Sequence, residues 1–332
     1  MAATVRDTLG GMFARPPAGW APPPCPDLEH EPFHGIPVPW RTPIAGAPVD
    51  AARTALLATS TVDTSVDVGA TGDMWSGSVA GMPFQLIDGT GPLTERVNVI
   101  DRSQPSTYRW QWTWPFVVAQ PVTVPVDMPP VLRREGDPLG AWDCHAYILD
   151  RRRNRLVEMI TVDSFPAWSA GYDGSGRGVI EWDLGRPFDA PGQPHGVVAA
   201  GIPHMPHFIR CDELARREVR HAAFLALPNY APGRTGYARS SDGTDAAHPC
   251  RAGERLRLRA RVLDRFRAGT PERTVAVGLA TYGAVVGDRT MHGVASTSGP
   301  GVIAATQDPR WKQFGWRGLN LRLSDFEIIT QP

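Results

Sequence analysis

Short runs of β-branched and aromatic residues, separated by turn-forming segments rich in Gly and Pro, dominate the hydrophobic pattern of this chain. Two such runs, 144–149 and 156–162, flank the polar segment 150–155 and predict a β-hairpin. Further strand-like runs lie at 116–118, 122–126, 178–183 and 325–329. The pattern predicts a mainly β fold, with β-sandwich-like sheet packing and a few short flanking helices.

Apolar and charged residues alternate strictly from residue 255 to residue 262. Side chains on a strand point alternately to its two faces, so this segment is expected to form one strand. The core face would carry Leu256, Leu258, Ala260 and Val262. The opposite face would carry a stripe of arginines, Arg255, Arg257, Arg259 and Arg261.

Helix signals are few. Thr270 is a good N-cap and Pro271 suits the first helical position, which predicts a helix that runs to about Tyr282 and ends at Gly283. Shorter helices are expected at 212–217 and 50–58.

Residues 1–34 are expected to form a Pro-rich N-terminal arm, followed by a single β-rich globular domain at 35–332. The stretch 15–24 contains five prolines and favours polyproline II. Ordering such an arm costs about 1 kcal/mol or more per residue, so it needs contacts in return. We therefore expect the arm to pack on a neighbouring subunit in an oligomer.

Charge and composition exclude several classes of protein. The 332 residues contain 34 basic and 34 acidic side chains, which argues against a general nucleic-acid binder. No run approaches the roughly 20 apolar residues of a membrane-spanning helix. The N-terminus lacks the pattern of a secretory signal, and the four cysteines are expected to be reduced, with Cys144 and Cys211 buried. Lys312 is the single lysine, a bias typical of a high-GC genome.

The segment 142–150 contains the most suggestive candidate chemistry. On a strand, Asp143, His145 and Tyr147 would share a face, and an Asp close to a His can orient the imidazole as a general base. The hairpin partner adds Glu158, a carboxylate in apolar surroundings, whose pKa would be raised unless it is paired. A polar network that braces the hairpin is the alternative interpretation.

Glu218 and His221 form a second candidate pair, because residues three apart at a helix end share a face. With His145 and Glu158, Glu218 could form the acid–base machinery of a glycoside hydrolase. These three are the candidate catalytic residues if the protein is an enzyme; otherwise Glu218 would simply pair with His221.

Candidate binding residues come from two patterns. The row Tyr108, Trp110, Trp112 and Trp114 would share one strand face and could stack on sugar rings, although a core or a subunit interface uses such a row equally well. Arg257 and Arg259 of the arginine stripe could bind an anionic polymer, or could belong to a solvated sheet face. His204 and His207 flank Pro206 without a third ligand nearby, so no metal is expected, and no cofactor motif is found.

Several segments, taken in order, resemble an uncharacterised family of predicted secreted, β-rich actinobacterial proteins. They are 39–44, 46–50, 143–146, 156–158, 200–206, 212–213, 218–222, 281–283 with Asp288, 308–311 and 324–327. The chain departs from the family at Arg41, where Asn is usual, at 289–293, which replaces a polar segment, and in the missing export signal. The resemblance implies a protein that faces outward and brings no activity with it.

An extracellular-type domain with a Pro-rich arm and no export signal is typical of a phage tail component. We therefore expect a virion structural protein, a minor tail or tail-tip protein of an actinobacterial phage, made in the host cytoplasm. Expected partners are neighbouring subunits, bound through the arm, and cell-surface polysaccharide, but neither nucleic acid nor a membrane. The alternative is an extracellular carbohydrate-active enzyme that acts on cell-wall glycan. A cytoplasmic polymer-binding module that uses the arginine stripe is a third possibility.

Overall fold

The computed structural model describes residues 32–33, 35–69, 84–87, 93–97, 122–125, 145–150, 153–162, 176–290, 300–306, 311 and 314–330. At residues 84–87, 93–97, 122–125, 146, 159–162 and 176–179 the description is limited to the backbone. The aromatic row at 108–114, the run 116–118, Asp143, Cys144 and residues 1–31 of the predicted arm lie outside these ranges.

Strands dominate the described residues. The strands are β1 Ser65–Val68, β2 Phe84–Ile87, β3 Leu93–Val97, β4 Val122–Pro125, β5 Ala146–Asp150, β6 Arg155–Val162, β7 Gly176–Asp183, β8 Ala223–Leu227, β9 Ala231–Arg234, β10 Arg251–Ala252, β11 Arg255–Leu258, β12 Ala284–Arg289, β13 Gly301–Ile303, β14 Leu321–Arg322 and β15 Phe326–Ile328. The α-helices are α1 Ala51–Leu56, α2 Cys211–Arg216 and α3 Pro271–Thr281, and 3-10 helices span Pro39–Arg41, Met205–His207, Ala260–Arg265 and Leu323–Asp325. The expectation of a mainly β fold with short flanking helices is confirmed.

The largest sheet is mixed and has the strand order β14-β1-β13-β8-β12-β11-β15. Its neighbours β1 and β13 run parallel, as do β8 and β12, while the other pairs in the sheet are antiparallel. The parallel pair β8/β12 requires a long connection, which here includes β9, β10, β11 and α3. This arrangement brings the carboxyl ends of β8 and β12 together at one edge of the sheet.

Helix α3 begins and ends where the sequence predicts. The Thr270 hydroxyl accepts a hydrogen bond from the backbone N–H of Arg273 at 3.2 Å, which caps the first turn. Gly283 follows the helix with φ of +78°, a left-handed conformation that glycine adopts without strain. The chain then enters β12.

A four-stranded sheet with the order β2-β5-β6-β7 contains the predicted hairpin. Strands β5 and β6 pair antiparallel, with Tyr147 opposite Glu158, and β6 pairs antiparallel with β7. In the connecting loop, the Asp150 carboxylate accepts a hydrogen bond from the backbone N–H of Arg153 at 3.0 Å, and Asn154 adopts a left-handed φ of 53°. The hairpin is therefore stabilised by its own turn residues.

The predicted strand from 255 to 262 is too long. β11 pairs with β15 only as far as Leu258, which lies opposite Phe326, the first residue of β15. Beyond this point only the backbone N–H of Arg259 still bonds across, to the carbonyl of Asp325 at 3.0 Å, and the 3-10 helix Ala260–Arg265 follows. Leu256, Leu258 and Val262 are buried as expected, whereas Ala260 is exposed.

One hydrophobic core takes side chains from both of the larger sheets and from the segments between them. Tyr147, Leu156 and Trp182 come from the four-stranded sheet, and Phe224 and Val285 from the seven-stranded sheet. Residues near the start of the described chain join the same core, because Phe33 and Trp40 are both fully buried. Phe33, inside the stretch predicted as an arm, is thus anchored to the domain.

Candidate functional site

Glu158 is completely buried on β6, and its carboxylate accepts three hydrogen bonds. The backbone N–H groups of His204 and Met205 donate to Oε1 at 2.7 and 3.0 Å, and the indole Nε1–H of Trp182 donates to Oε2 at 2.9 Å. Trp182 lies on the adjacent strand β7, whereas His204 and Met205 begin the turn that forms a 3-10 helix. Glu158 therefore joins the four-stranded sheet to this turn.

Burial raises the pKa of Glu158 to about 7, and the three hydrogen bonds oppose that rise. Desolvation disfavours the carboxylate more than its donors stabilise it. The group consequently titrates near neutral pH, far above the usual range of a glutamate.

A cluster of aromatic and imidazole rings surrounds the same turn. The Tyr147 hydroxyl and His204 Nδ1 are 2.6 Å apart, and the His145 ring stacks on Tyr147 with centroids 6.0 Å apart. Burial lowers the pKa of His204 well below its ordinary value, so this imidazole is neutral. His204 Nε2 has no hydrogen-bond partner. The cluster is part of the packed interior, since all three side chains are at most 1% exposed.

The candidate catalytic residues His145, Glu158 and Glu218 do not occupy one environment. His145 and Glu158 are buried, but Glu158 takes its hydrogen bonds from Trp182, His204 and Met205 and not from His145. Glu218 lies on the surface with 46% of its side chain exposed, where it forms an ion pair with Arg220 at 2.6 Å. That hydrogen bond with Arg220 lowers the pKa of Glu218. A sugar could contact Glu218 from solvent but not Glu158, because the carboxyl of Glu158 is completely buried.

The expected pairing of Glu218 with His221 is wrong. Helix α2 ends at Arg216, and Arg217 turns the chain away from the helix axis with a left-handed φ of 59°. Glu218 and His221 therefore do not share a helical face. His221 instead lies 2.9 Å from the carboxylate of Glu213, inside the protein.

Glu213 belongs to a buried ionic cluster that the sequence analysis missed. Arg210 is 1% exposed and forms ion pairs with Asp212 at 3.1 Å and Glu213 at 3.2 Å, and Arg216 also contacts Asp212. The charges compensate one another, as buried ions must. An Arg two residues before Asp-Glu at a helix start was the available signal. Through His221, two residues before β8, the cluster connects the start of α2 to the chain that enters the sheet.

Two arginines of the stripe, Arg255 and Arg257, bind the protein itself. Arg257 pairs with Glu327 at 2.9 Å and donates to the backbone carbonyls of Ile44, Ala45 and Ala47 at 2.6–3.0 Å. Arg255 donates to the carbonyls of Pro39, Thr42 and Tyr282. We call Arg255 and Arg257, together with the segment 39–47, the arginine clamp.

The guanidinium of Arg259 donates to the carbonyl of Phe326 at 3.2 Å. The other predicted binding residues, Tyr108, Trp110, Trp112 and Trp114, lie outside the described residues. A different aromatic group occupies the core beneath the clamp, where Trp40 contacts Phe188, His207 and Tyr237 at centroid distances of 4.9–5.9 Å. It comes from distant segments, so no local pattern predicts it.

Within the described ranges, no group of three or more His, Cys, Asp or Glu side chains could hold a metal ion, and no helix is long and apolar enough to cross a membrane. His207 bonds to the carbonyl of Pro203 at 2.8 Å and to the Tyr237 hydroxyl at 3.2 Å. Cys211 is buried, as predicted, and Cys250 is a buried free thiol. Comparison with known proteins gave no match to a family model, a curated protein or a solved structure.

Proposed function

We propose that this protein is a virion structural component, a minor tail or tail-tip protein of an actinobacterial phage that contacts the host envelope or neighbouring tail subunits. The arginine clamp is the observation that supports this best. It fixes the segment 39–47 to the seven-stranded sheet directly after the Pro-rich arm. An arm that joins subunits binds more tightly when the segment that connects it to the domain is already fixed. A flexible connection would lose conformational entropy on binding, and this loss would weaken the contact between subunits.

The environments of the candidate acids and bases also favour a structural role. Glu158 links a sheet to a turn, Glu218 pairs with Arg220, and His221 pairs with Glu213. A glycosidase needs two carboxyl groups that face the same sugar, about 5–10 Å apart. Glu158 and Glu218 lie in environments too different to act in this way.

A glycoside hydrolase is the second candidate, and one observation favours it. The raised pKa of Glu158, about 7, is the value that a general acid requires at neutral pH. For this role a movement of the chain would have to open the turn at His204 and Met205 to substrate.

The test of the proposed function is the composition of the particle. Phage particles from the source strain would be purified by density-gradient centrifugation, and their proteins quantified by peptide mass spectrometry. We expect the chain to sediment with intact particles in a few copies per tail. A gene copy that lacks residues 1–31 serves as the matched control, and its product should remain soluble and stay out of particles. Recovery of the full chain only as free protein would contradict the proposal.

A further inference from the structure

The carboxyl ends of the parallel strands β8 and β12 meet at one edge of the seven-stranded sheet and carry a concentration of polar side chains. Tyr230 follows β8, and Asp288, Arg289 and Thr290 close β12. The carboxyl ends of adjacent parallel strands are a common place for ligand sites, since loops diverge there and leave room for a ligand. The loop 240–245, with the sequence Ser-Ser-Asp-Gly-Thr-Asp, covers part of this edge.

Hydrogen bonds hold this loop against the strand ends. The Ser240 hydroxyl donates to the carbonyl of Ala199 at 2.6 Å, and the N–H of Ala199 donates to the Asp288 carboxylate at 3.1 Å. The Tyr230 hydroxyl donates to Asp242. Gly243 lies so close to the strand that an added Cβ would be 2.3 Å from the carbonyl oxygen of Ala231. Asp242 and Asp288 are thereby held in one cluster. Burial raises the pKa of the Tyr230 hydroxyl, and the negative charges of both aspartates raise it further.

Two side chains of the cluster have polar atoms that the protein leaves without a partner. The Thr290 hydroxyl is buried, with the residue 6% exposed, and it forms no hydrogen bond. Asp288 and Thr290 are two residues apart at the strand end, so their side chains project to the same face. Nε of Arg289 is likewise buried and unpaired. Burial raises the pKa of Asp242, and the positive charge of the Arg289 guanidinium opposes that rise. Nearly all buried polar groups have a partner, so an unpaired hydroxyl at the end of β12, two residues after Asp288, indicates that a further group binds here.

We propose that Asp242, Asp288, Arg289 and Thr290 form a binding site for a neutral saccharide. Carboxylates accept hydrogen bonds from sugar hydroxyls, a guanidinium donates to them, and a threonine hydroxyl does both. Two carboxylates and one guanidinium leave a net negative charge, which disfavours an anionic ligand. Asp242, Asp288 and Arg289 are partly exposed, so a ligand can reach them from solvent.

The electrostatics of Asp242 agree with such a ligand. Burial raises the pKa of this carboxyl, although the hydrogen bond from Tyr230 and the charge of Arg289 lower it. A sugar hydroxyl that donates to the carboxylate would replace part of the lost hydration. The inference deepens the proposed function, on which it rests for the biological source of the sugar, the glycan of the host envelope.

The test is calorimetric titration of the full chain with neutral arabinose and galactose oligosaccharides, and with polygalacturonate as the anionic comparison. We expect binding of a neutral oligosaccharide that Asp242→Asn and Asp288→Asn each weaken by about tenfold or more. Asp264→Asn, an exposed aspartate on the 3-10 helix Ala260–Arg265, is the matched control and should bind as the parent does.

Thr290→Val keeps the test decisive if an aspartate variant fails to fold. Because the Thr290 hydroxyl has no partner in the free protein, its removal should leave the melting temperature unchanged or higher and still weaken binding. Binding that Asp242→Asn, Asp288→Asn and Thr290→Val leave unchanged would overturn the inference. So would the absence of any binding to neutral oligosaccharides, or a preference for polygalacturonate. These results would leave the particle composition, and with it the proposed function, untouched.

Discussion

Replacement of Glu158 by Gln should remove a specific pH dependence of stability. The pKa of this carboxyl is raised from 4.5 to about 7 by burial, so the folded protein binds a proton that the unfolded chain releases. The protonated carboxyl therefore contributes stability that is complete below pH 4.5 and is lost as the pH rises through 7. Linkage between these two pKa values gives a loss of about 2.5 kcal/mol between pH 5 and pH 8. Glu158 is fully buried, so solvent screening does not reduce this figure.

The assay is urea unfolding at pH 5, 6, 7 and 8, followed by tryptophan fluorescence. Burial lowers the pKa values of His204 and His207, so these groups make stability rise with pH below about 6.5. Because they are present in both proteins, the difference between parent and Glu158→Gln isolates the carboxyl. The variant should also lose about 1–3 kcal/mol at every pH, since its amide cannot accept the Trp182 bond while it accepts those from His204 and Met205.

Glu218→Gln is the control, because this surface carboxyl has a lowered pKa and stays ionised from pH 5 to pH 8. The parent and Glu218→Gln should show the same pH profile. A parent-minus-Glu158→Gln difference that is constant from pH 5 to pH 8 would refute the reasoning, because Glu158 would then be ionised throughout or protonated throughout.

Three further predictions concern the clamp, the arm and catalysis. Arg255→Met should lower the free energy of unfolding by about 3 kcal/mol, because it removes three hydrogen bonds from a charged donor to backbone carbonyls. The exposed control Arg261→Met should change it by less than about 0.5 kcal/mol, and equal urea midpoints for the two variants would contradict the clamp. Deletion of residues 1–31 should leave a folded domain, since Phe33 remains in the core. Light scattering should show that this domain no longer assembles, and normal assembly would exclude the arm as an anchor. The protein should release no reducing sugar from arabinogalactan or peptidoglycan. If it does release sugar, and Glu158→Gln or Glu218→Gln abolishes this activity without unfolding the protein, the hydrolase would be favoured instead.

Local signals predicted local structure well. The cap at Thr270, the glycine after α3 and the turn between β5 and β6 depend on residues within a few positions of one another, so their chemistry is visible in the sequence. The alternation from 255 to 262 failed for a non-local reason. Whether β11 continues past Leu258 is decided by the length of its partner β15, about 70 residues later.

The site residues were harder to predict, because their roles depend on contacts across the fold. The donors to Glu158 at His204 and Met205 are 46 and 47 residues away along the chain. A buried carboxylate can be recognised from its apolar neighbours, but its donors cannot. Likewise, Asp242 and Asp288 come together only because the parallel pairing of β8 and β12 places two distant loops at one sheet edge.

The arginine clamp has a consequence for which sequences this fold tolerates. The segment 39–47 has Pro39 and Pro43, which lack an N–H, so it cannot complete a strand ladder with the sheet. Arg255 and Arg257 contact carbonyl oxygens of this segment, which every amino acid possesses. Thr42, Ala45 and Ala47 are therefore free to diverge among related sequences, while the two guanidinium groups are not. Such variation would let the segment 39–47 adapt to sequence changes in a neighbouring subunit without lowering the stability of the domain.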